Sequence, residues 1–158
     1  IMKIVKKLCV WIPAVIIIVC IFGFSQQNGE QSMGISYKVS EFLVDFADSI
    51  HLIDMKWNDR AHALEQMQTP VRKLAHMAEF ALLGFSVYFA LKYDEFSYKF
   101  TKYVTFFIVL VVASLDEFHQ LCVAGRNGNP RDVMIDMCGC LIAIFISVLL
   151  DKRKNIVV

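Results

Sequence analysis

Residues 8–24 read LCVWIPAVIIIVCIFGF, seventeen positions without a single charge. A hydrocarbon core of roughly 30 Å takes about 20 apolar residues of helix, with about 17 as the lower bound. The run therefore reads as a short membrane span. Lys3, Lys6 and Lys7 precede it, and Gly23-Phe24-Ser25 fits a small-x-small cleavage rule, so a secretory signal is the competing reading. Signal cores run about 7–15 residues. This one is longer and ends in aromatics, and we read it as a retained span. Pro13, in its first third, predicts a kink or the start of the helix.

Composition carries the same message. Of 158 residues 57% are hydrophobic and 20% charged, against about 45–50% and about 25% in ordinary soluble domains. The length is that of one domain. Thirteen Phe beside seven Gly and three Pro exclude a collagenous or linker-rich chain. A net charge of +1 gives no field to recruit nucleic acid, and no nucleic-acid partner is expected. Five scattered Cys do not make a disulfide scaffold.

Three further apolar blocks follow, at about 74–91, 103–121 and 133–150, and no repeat relates them. The segment from about 25 to 72 differs, being polar and without a run long enough to span. Within it Ile35, Val39, Phe42, Leu43, Phe46 and Ile50 recur at steps of three and four, with Lys38, Glu41, Asp45 and Asp48 between them. That spacing predicts an amphipathic helix. A second short helix is predicted from Asn58 to about Gln68, capped by Asn58 or Asp59, with Thr69-Pro70 starting the next element. The expected fold is all-α: a polytopic membrane protein with four transmembrane helices and amphipathic surface helices between spans one and two. Residues 1–158 form its single domain.

Charge next to the spans suggests sidedness. An N-terminus in the cytoplasm places Lys3, Lys6, Lys7, Lys92, Lys99, Lys102, Lys152, Arg153 and Lys154 inside, nine of the sixteen Lys and Arg. Both termini are then cytoplasmic. Under this topology three segments bring their ionisable residues to the outer face. Span two contributes Arg72, Lys73, His76 and Glu79, and span three Asp116, Glu117, His119 and Gln120. Arg126, Arg131, Asp132 and Asp136 come from the next loop and the start of span four.

Helical spacing groups these residues further. Arg72, His76 and Glu79 share one stripe, and Asp116, His119 and Gln120 another. Asp132 and Asp136 lead a face that continues through Gly139 or Cys140, Ala143 and Ser147, small enough for close helix contact. Charge inside a membrane bundle needs a reason. An ion-pair network that fixes helix register is one, and a site is the other. His76, Glu79, Asp116, Glu117, His119 and Asp136 are types suited to acid–base work, or to holding a divalent metal. No HExxH or Cys-rich signature marks a metal, and the cofactor stays open. Arg72, Lys73, Gln120, Arg126, Arg131 and Asp132 are the candidate substrate-binding groups, with Lys73 and Arg126 expected to hold an anionic headgroup. Cys122 has no catalytic spacing. Cys9, Cys20, Cys138 and Cys140 are expected as buried apolar residues, while His51, Trp57 and His62 carry no motif.

The stretches RKLAHMAEFALLG and SLDEFHQLCVAGRNGNPRDVMIDMCG, with FSQQNGEQSMGIS after the first span, resemble the VanZ family of bacterial membrane proteins. The resemblance covers nearly the whole chain, and the DE-x-HQ…GR…DV order is fairly specific. It carries over to Lys73, His76, Glu79, Asp116, Glu117, His119, Gln120, Arg126, Asp132 and Asp136. Ala124 departs from it, standing where the family usually has a proline. The resemblance implies a cell-envelope protein linked to low-level resistance to teicoplanin, which acts outside the membrane, and leaves the reaction open. The expected partner is a membrane lipid or lipid-linked cell-wall precursor. The site either modifies it or binds and shields it. A transporter would need an alternating-access path, for which four short spans without a repeat leave little room.

Overall fold

A computed structural model describes residues 2–50, 57–94, 96–126 and 128–154. Five helices account for nearly all of them: α1 (Met2–Ser25), α2 (Gly29–Ser49), α3 (Trp57–Tyr93), α4 (Tyr98–Gln120) and α5 (Pro130–Lys154). No strand occurs among the described residues. Among the described residues three stretches are long and apolar enough to cross a membrane, Val5–Ser25, Asp59–Tyr93 and Pro130–Asp151. The predicted apolar blocks thus lie within α1, α3 and α5, and the third falls largely on α4.

Two expectations are corrected between residues 57 and 93. No separate short helix ends near Gln68, and Thr69-Pro70 starts nothing: α3 runs unbroken through Pro70. A proline removes one N–H and one i→i−4 bond, but 37 residues of continuous helix absorb that loss. Pro13 likewise lies inside α1 rather than at its start. His51 lies outside the described residues.

Helix α2 forms where the periodicity places it, opened by Asn28, whose side chain accepts from the Gln31 N–H at 2.8 Å while Gln31 answers on the Asn28 N–H. Its packing face is another matter. Ile35, Val39, Phe42, Leu43, Phe46 and Ile50 are all exposed, whereas Ser32, Ser36, Ser40 and Val44 are buried. Ser36 and Ser40 donate to carbonyls one turn back, at 3.0 and 2.8 Å. The hydroxyls so satisfied leave a small face that lies against α3. The helix therefore has three sectors, a small one on protein, an apolar one without protein cover, and a charged one.

Within the bundle α3 and α5 run parallel, and α1 and α4 run the opposite way. Ion pairs fix one end. Asp94 after α3 accepts from Trp11 Nε1 at 3.0 Å and pairs with Lys7 of α1 at 3.4 Å. Asp151 of α5 pairs with Lys92 at 2.7 Å and accepts from the buried Tyr88 hydroxyl at 3.2 Å. The Trp11 hydrogen bond first, and Lys7 after it, hold the Asp94 carboxyl below its ordinary range. A lowered value means the contact is at full strength above the usual carboxylate range and is lost only as pH falls through it.

Lipid tails are as apolar as leucine, so association in a membrane relies on close packing. The core of Ile21, Phe80, Leu83, Val87, Val109 and Cys140 is accordingly completed by glycines. At Gly139 a Cβ would stand 2.0 Å from the Met77 carbonyl oxygen, and at Gly84 it would stand 3.1 Å from the Ala143 Cβ. Asp136, Gly139, Cys140, Ala143 and Ser147 are all buried, the small-residue stripe expected of α5. Large apolar side chains such as Leu8, Phe107 and Phe145 face outward instead. Of the four cysteines expected inside, only Cys140 is buried; Cys9, Cys20 and Cys138 lie on that outward apolar surface.

Gly139→Ala is expected to lower stability by about 1–3 kcal/mol or more through overpacking. Gly23→Ala, where a Cβ meets nothing within 4 Å, should gain about 0.5–1 kcal/mol from helix propensity. Thermal unfolding of the two purified variants in detergent checks both signs.

Candidate functional site

At the end of the bundle away from Asp94 and Asp151, the last turn of α1, the middle of α3, the last turns of α4 and the first turns of α5 converge under the loop after α4. The loop seats backbone on backbone. Gly29 donates to the Ala124 carbonyl at 3.3 Å, a bond that a proline at 124 would also accept. Gly125 adopts φ +73°, the left-handed region, and a Cβ on Gly29 would meet the Gly125 oxygen at 2.4 Å. Pro130 then opens α5 at a position whose N–H needs no partner.

Arg126 ties this corner together. Its Nε donates to the Gln27 carbonyl at 3.2 Å and its Nη2 to the Phe24 carbonyl at 3.3 Å, and its Nη1 reaches Gln120 Oε1 at 3.2 Å. Gln120 in turn donates to Asp116 Oδ2 at 2.8 Å. A hydrogen-bonded chain thus runs from buried α4 through the loop to the end of α1. Glu117 accepts from the Asn129 backbone N–H at 2.7 Å, holding the other limb of the loop. Lys73 bridges α3 to α5 through Asp132 at 2.8 Å. Burial first, then the like charge of Arg72, lowers the Arg126 guanidinium from its ordinary value.

Two cavities meet here. A polar one of about 160 Å³ is walled by Arg72, Lys73 and His76 of α3, Glu117 and Gln120 of α4, Gly125 and Arg126 of the loop, and Asp132, Ile135 and Asp136 of α5. A larger one of about 440 Å³ runs between α2 and α3, lined by apolar residues and by Arg72, His76, Glu79 and Arg126. Arg72, His76 and Arg126 belong to both walls. His76 Nδ1 lies 3.9 Å from Glu79 Oε2. Glu79 Oε2, Asp116 Oδ1 and Asp136 Oδ2 are buried acceptors without a hydrogen-bond partner among the described residues. Buried polar atoms are ordinarily paired, and exceptions deserve an explanation.

The predicted residues divide on this geometry. Nine line one or both cavities: Arg72, Lys73, His76, Glu79, Glu117, Gln120, Arg126, Asp132 and Asp136. Asp116 is fully buried behind Gln120. His119 turns toward α1, its ring edge-on to Phe22 at 5.9 Å. Arg131 is exposed in the first turn of α5 and lines neither cavity. Among the described residues no three His, Cys, Asp or Glu side chains come together as a metal cage. Sequence reasoning missed the Phe24 and Gln27 carbonyls and the Asn129 N–H, because backbone groups leave no signature in residue type. It also missed the groove wall of α2, although Ser32 and Ser36 stand one helical turn apart.

Apolar helices closing over a charged pocket at one end define a helical membrane protein with a polar site. The VanZ/LLP1 family model matches residues 10–151, and the chain belongs to that family. No curated protein and no solved structure matches it.

Removing Arg126 breaks three charge-assisted hydrogen bonds, so Arg126→Ala should cost about 2–3 kcal/mol or more. Lys73→Ala, at a half-exposed pair, should cost about 1 kcal/mol or less. Thermal unfolding in detergent reads the difference.

Proposed function

We propose that the protein acts on a lipid or lipid-linked cell-envelope component at the outer face of the membrane. The observation that carries this reading is the polar cavity built directly against an apolar one, with Arg72, His76 and Arg126 in both walls. A ligand that satisfies both has a charged head and a hydrocarbon part. His76 beside Glu79 supplies acid–base groups, and Asp136 and Glu117 add carboxylates to the polar wall. Arg72 and Arg126 favour an anionic head. The family resemblance links the process to teicoplanin resistance.

Four spans, with both termini cytoplasmic, accompany this reading. Residues 104–115 of α4 carry no charge. α3 ends near Asp94 while α5 begins at the opposite end of the bundle, so α4 has to bring the chain back across. α2 then lies along the interface, its apolar sector toward the hydrocarbon and its charged sector toward water. The excess of Lys and Arg beside the Asp94 end supports that end as cytoplasmic.

A non-enzymatic reading has support of its own. The Asp116–Gln120–Arg126 chain and the Lys73–Asp132 pair connect helices, as a purely structural network would. The same pocket would then bind or shield a lipid or the antibiotic without chemistry.

Substitution separates the two. Under the enzymatic reading Glu79→Gln, at unchanged membrane level, should lower product formation by about 10²–10⁴-fold and remove teicoplanin protection. Mass spectrometry of lipids and cell-wall precursors, from cells with and without the protein, is the readout. Full protection by Glu79→Gln, with an unchanged lipid profile, would favour the binder. Topology is checked by a C-terminal alkaline phosphatase fusion, expected to be inactive.

A further inference from the structure

The groove between α2 and α3 is an apolar space that adjoins the polar pocket, and its geometry says more about what enters it. Its α2 wall is Ser32, Ile35, Ser36, Val39 and Leu43, and its α3 wall includes Val71, Leu74 and Ala75. The Ser36 hydroxyl is turned onto a carbonyl of its own helix, so it offers the groove no free donor. From Ser32 to Leu43 the wall is roughly 16 Å long at 1.5 Å per residue, about half of a hydrocarbon core of roughly 30 Å. That is the reach of one leaflet's acyl chain. Ile35, Val39 and Leu43 line the groove and also belong to the exposed apolar sector of α2, so the space is continuous with the surface left for lipid.

The head end has its own asymmetry. Lys73 is engaged with Asp132, and Arg126 spends three donors on Gln27, Phe24 and Gln120. Arg72 makes no hydrogen bond or ion pair among the described residues, yet it is half-buried and lines both cavities. A partly buried guanidinium without an acceptor calls for an anion.

We propose that the α2–α3 groove holds one acyl chain of an anionic phospholipid, whose phosphate sits at Arg72 between groove and polar pocket. This rests on the lipid reading above and names the lipid's class and path. Arg72, rather than the expected Lys73 and Arg126, is the headgroup clamp. Arg126 is a positioning residue that keeps the loop over the pocket. A long polyprenyl chain exceeds a groove of this length, whereas an acyl chain fills it.

The test uses the full chain in phosphatidylcholine vesicles containing a small fraction of phosphatidylglycerol with a diazirine in its acyl chain. After photolysis the label should fall on Ile35, Val39, Leu43 or Ala75. It should exceed, by about tenfold, that from phosphatidylcholine carrying the same tail. Arg72→Gln should bring the two to the same level. Ala75→Trp, which fills the groove and leaves Arg72 in place, should remove the label and serves if Arg72→Gln does not fold. Equal labelling by both lipids, or unchanged labelling in folded Arg72→Gln, overturns the proposal. Competition by polyprenyl phosphate but not by phosphatidylglycerol overturns it too. Label retained in Glu79→Gln supports the groove whatever becomes of the modification reaction. Lipid modification that persists in Ala75→Trp overturns the groove and leaves the catalytic reading standing.

Discussion

The contact between α3 and α5 is the constraint on which the rest depends. Gly139 lies so close to the Met77 carbonyl that a single methyl group does not fit. In a solvent of hydrocarbon there is little to gain from burying leucines, and such contact between backbones is what holds helices together. It also sets register. Met77 is the neighbour of His76, and Asp136 stands one turn before Gly139 on the same face of α5. Once the two backbones touch, the acid of α5 and the histidine of α3 have to share a pocket.

The two ends of the bundle treat charge differently. Near the chain's Lys7 and Lys92, each carboxylate has one cation and one neutral donor, Asp94 with Lys7 and Trp11, Asp151 with Lys92 and Tyr88. At the other end Glu79, Asp116 and Asp136 each keep a buried oxygen without a hydrogen bond among the described residues, and Arg72, on the wall of both cavities, makes no hydrogen bond or ion pair among them. Asp94 Oδ1 is also without a hydrogen bond, but it lies 3.4 Å from Lys7, whereas Asp116 and Asp136 have no ion pair among the described residues. Unpartnered groups of both signs beside two adjoining cavities separate a binding site from a brace.

Much of this could be read from residue order. Length and apolarity located α1, α3 and α5, and helical spacing put Arg72, His76 and Glu79 on one stripe. The small residues after Asp136 announced the close helix contact. Three things escaped for physical reasons. Periodicity says that Ile35 and Phe46 share a face, but not whether that face meets protein or lipid, since both are apolar. Thr69-Pro70 reads as a helix start because proline is tolerated in a first turn, and residue type does not say that a 37-residue helix runs through it. The roof over the pocket is made by carbonyls and an N–H, which every residue possesses, so no residue type could reveal it. His119 shows the same limit in reverse, because spacing placed it with Asp116 while its ring lies against Phe22.

The bonds from Arg126 to α1 also impose an order of events on a growing chain. Trp11 meets Asp94 across 83 positions, but Arg126 reaches back 99 and 102 positions to Gln27 and Phe24. At about 5–20 residues per second, several seconds pass between emergence of the two halves of that corner. The Trp11–Asp94 bond can close before the corner over the pocket, and Asp151 joins the same end after both. A nascent chain thus gains its first brace, between α1 and the end of α3, before all the groups of its pocket have been made.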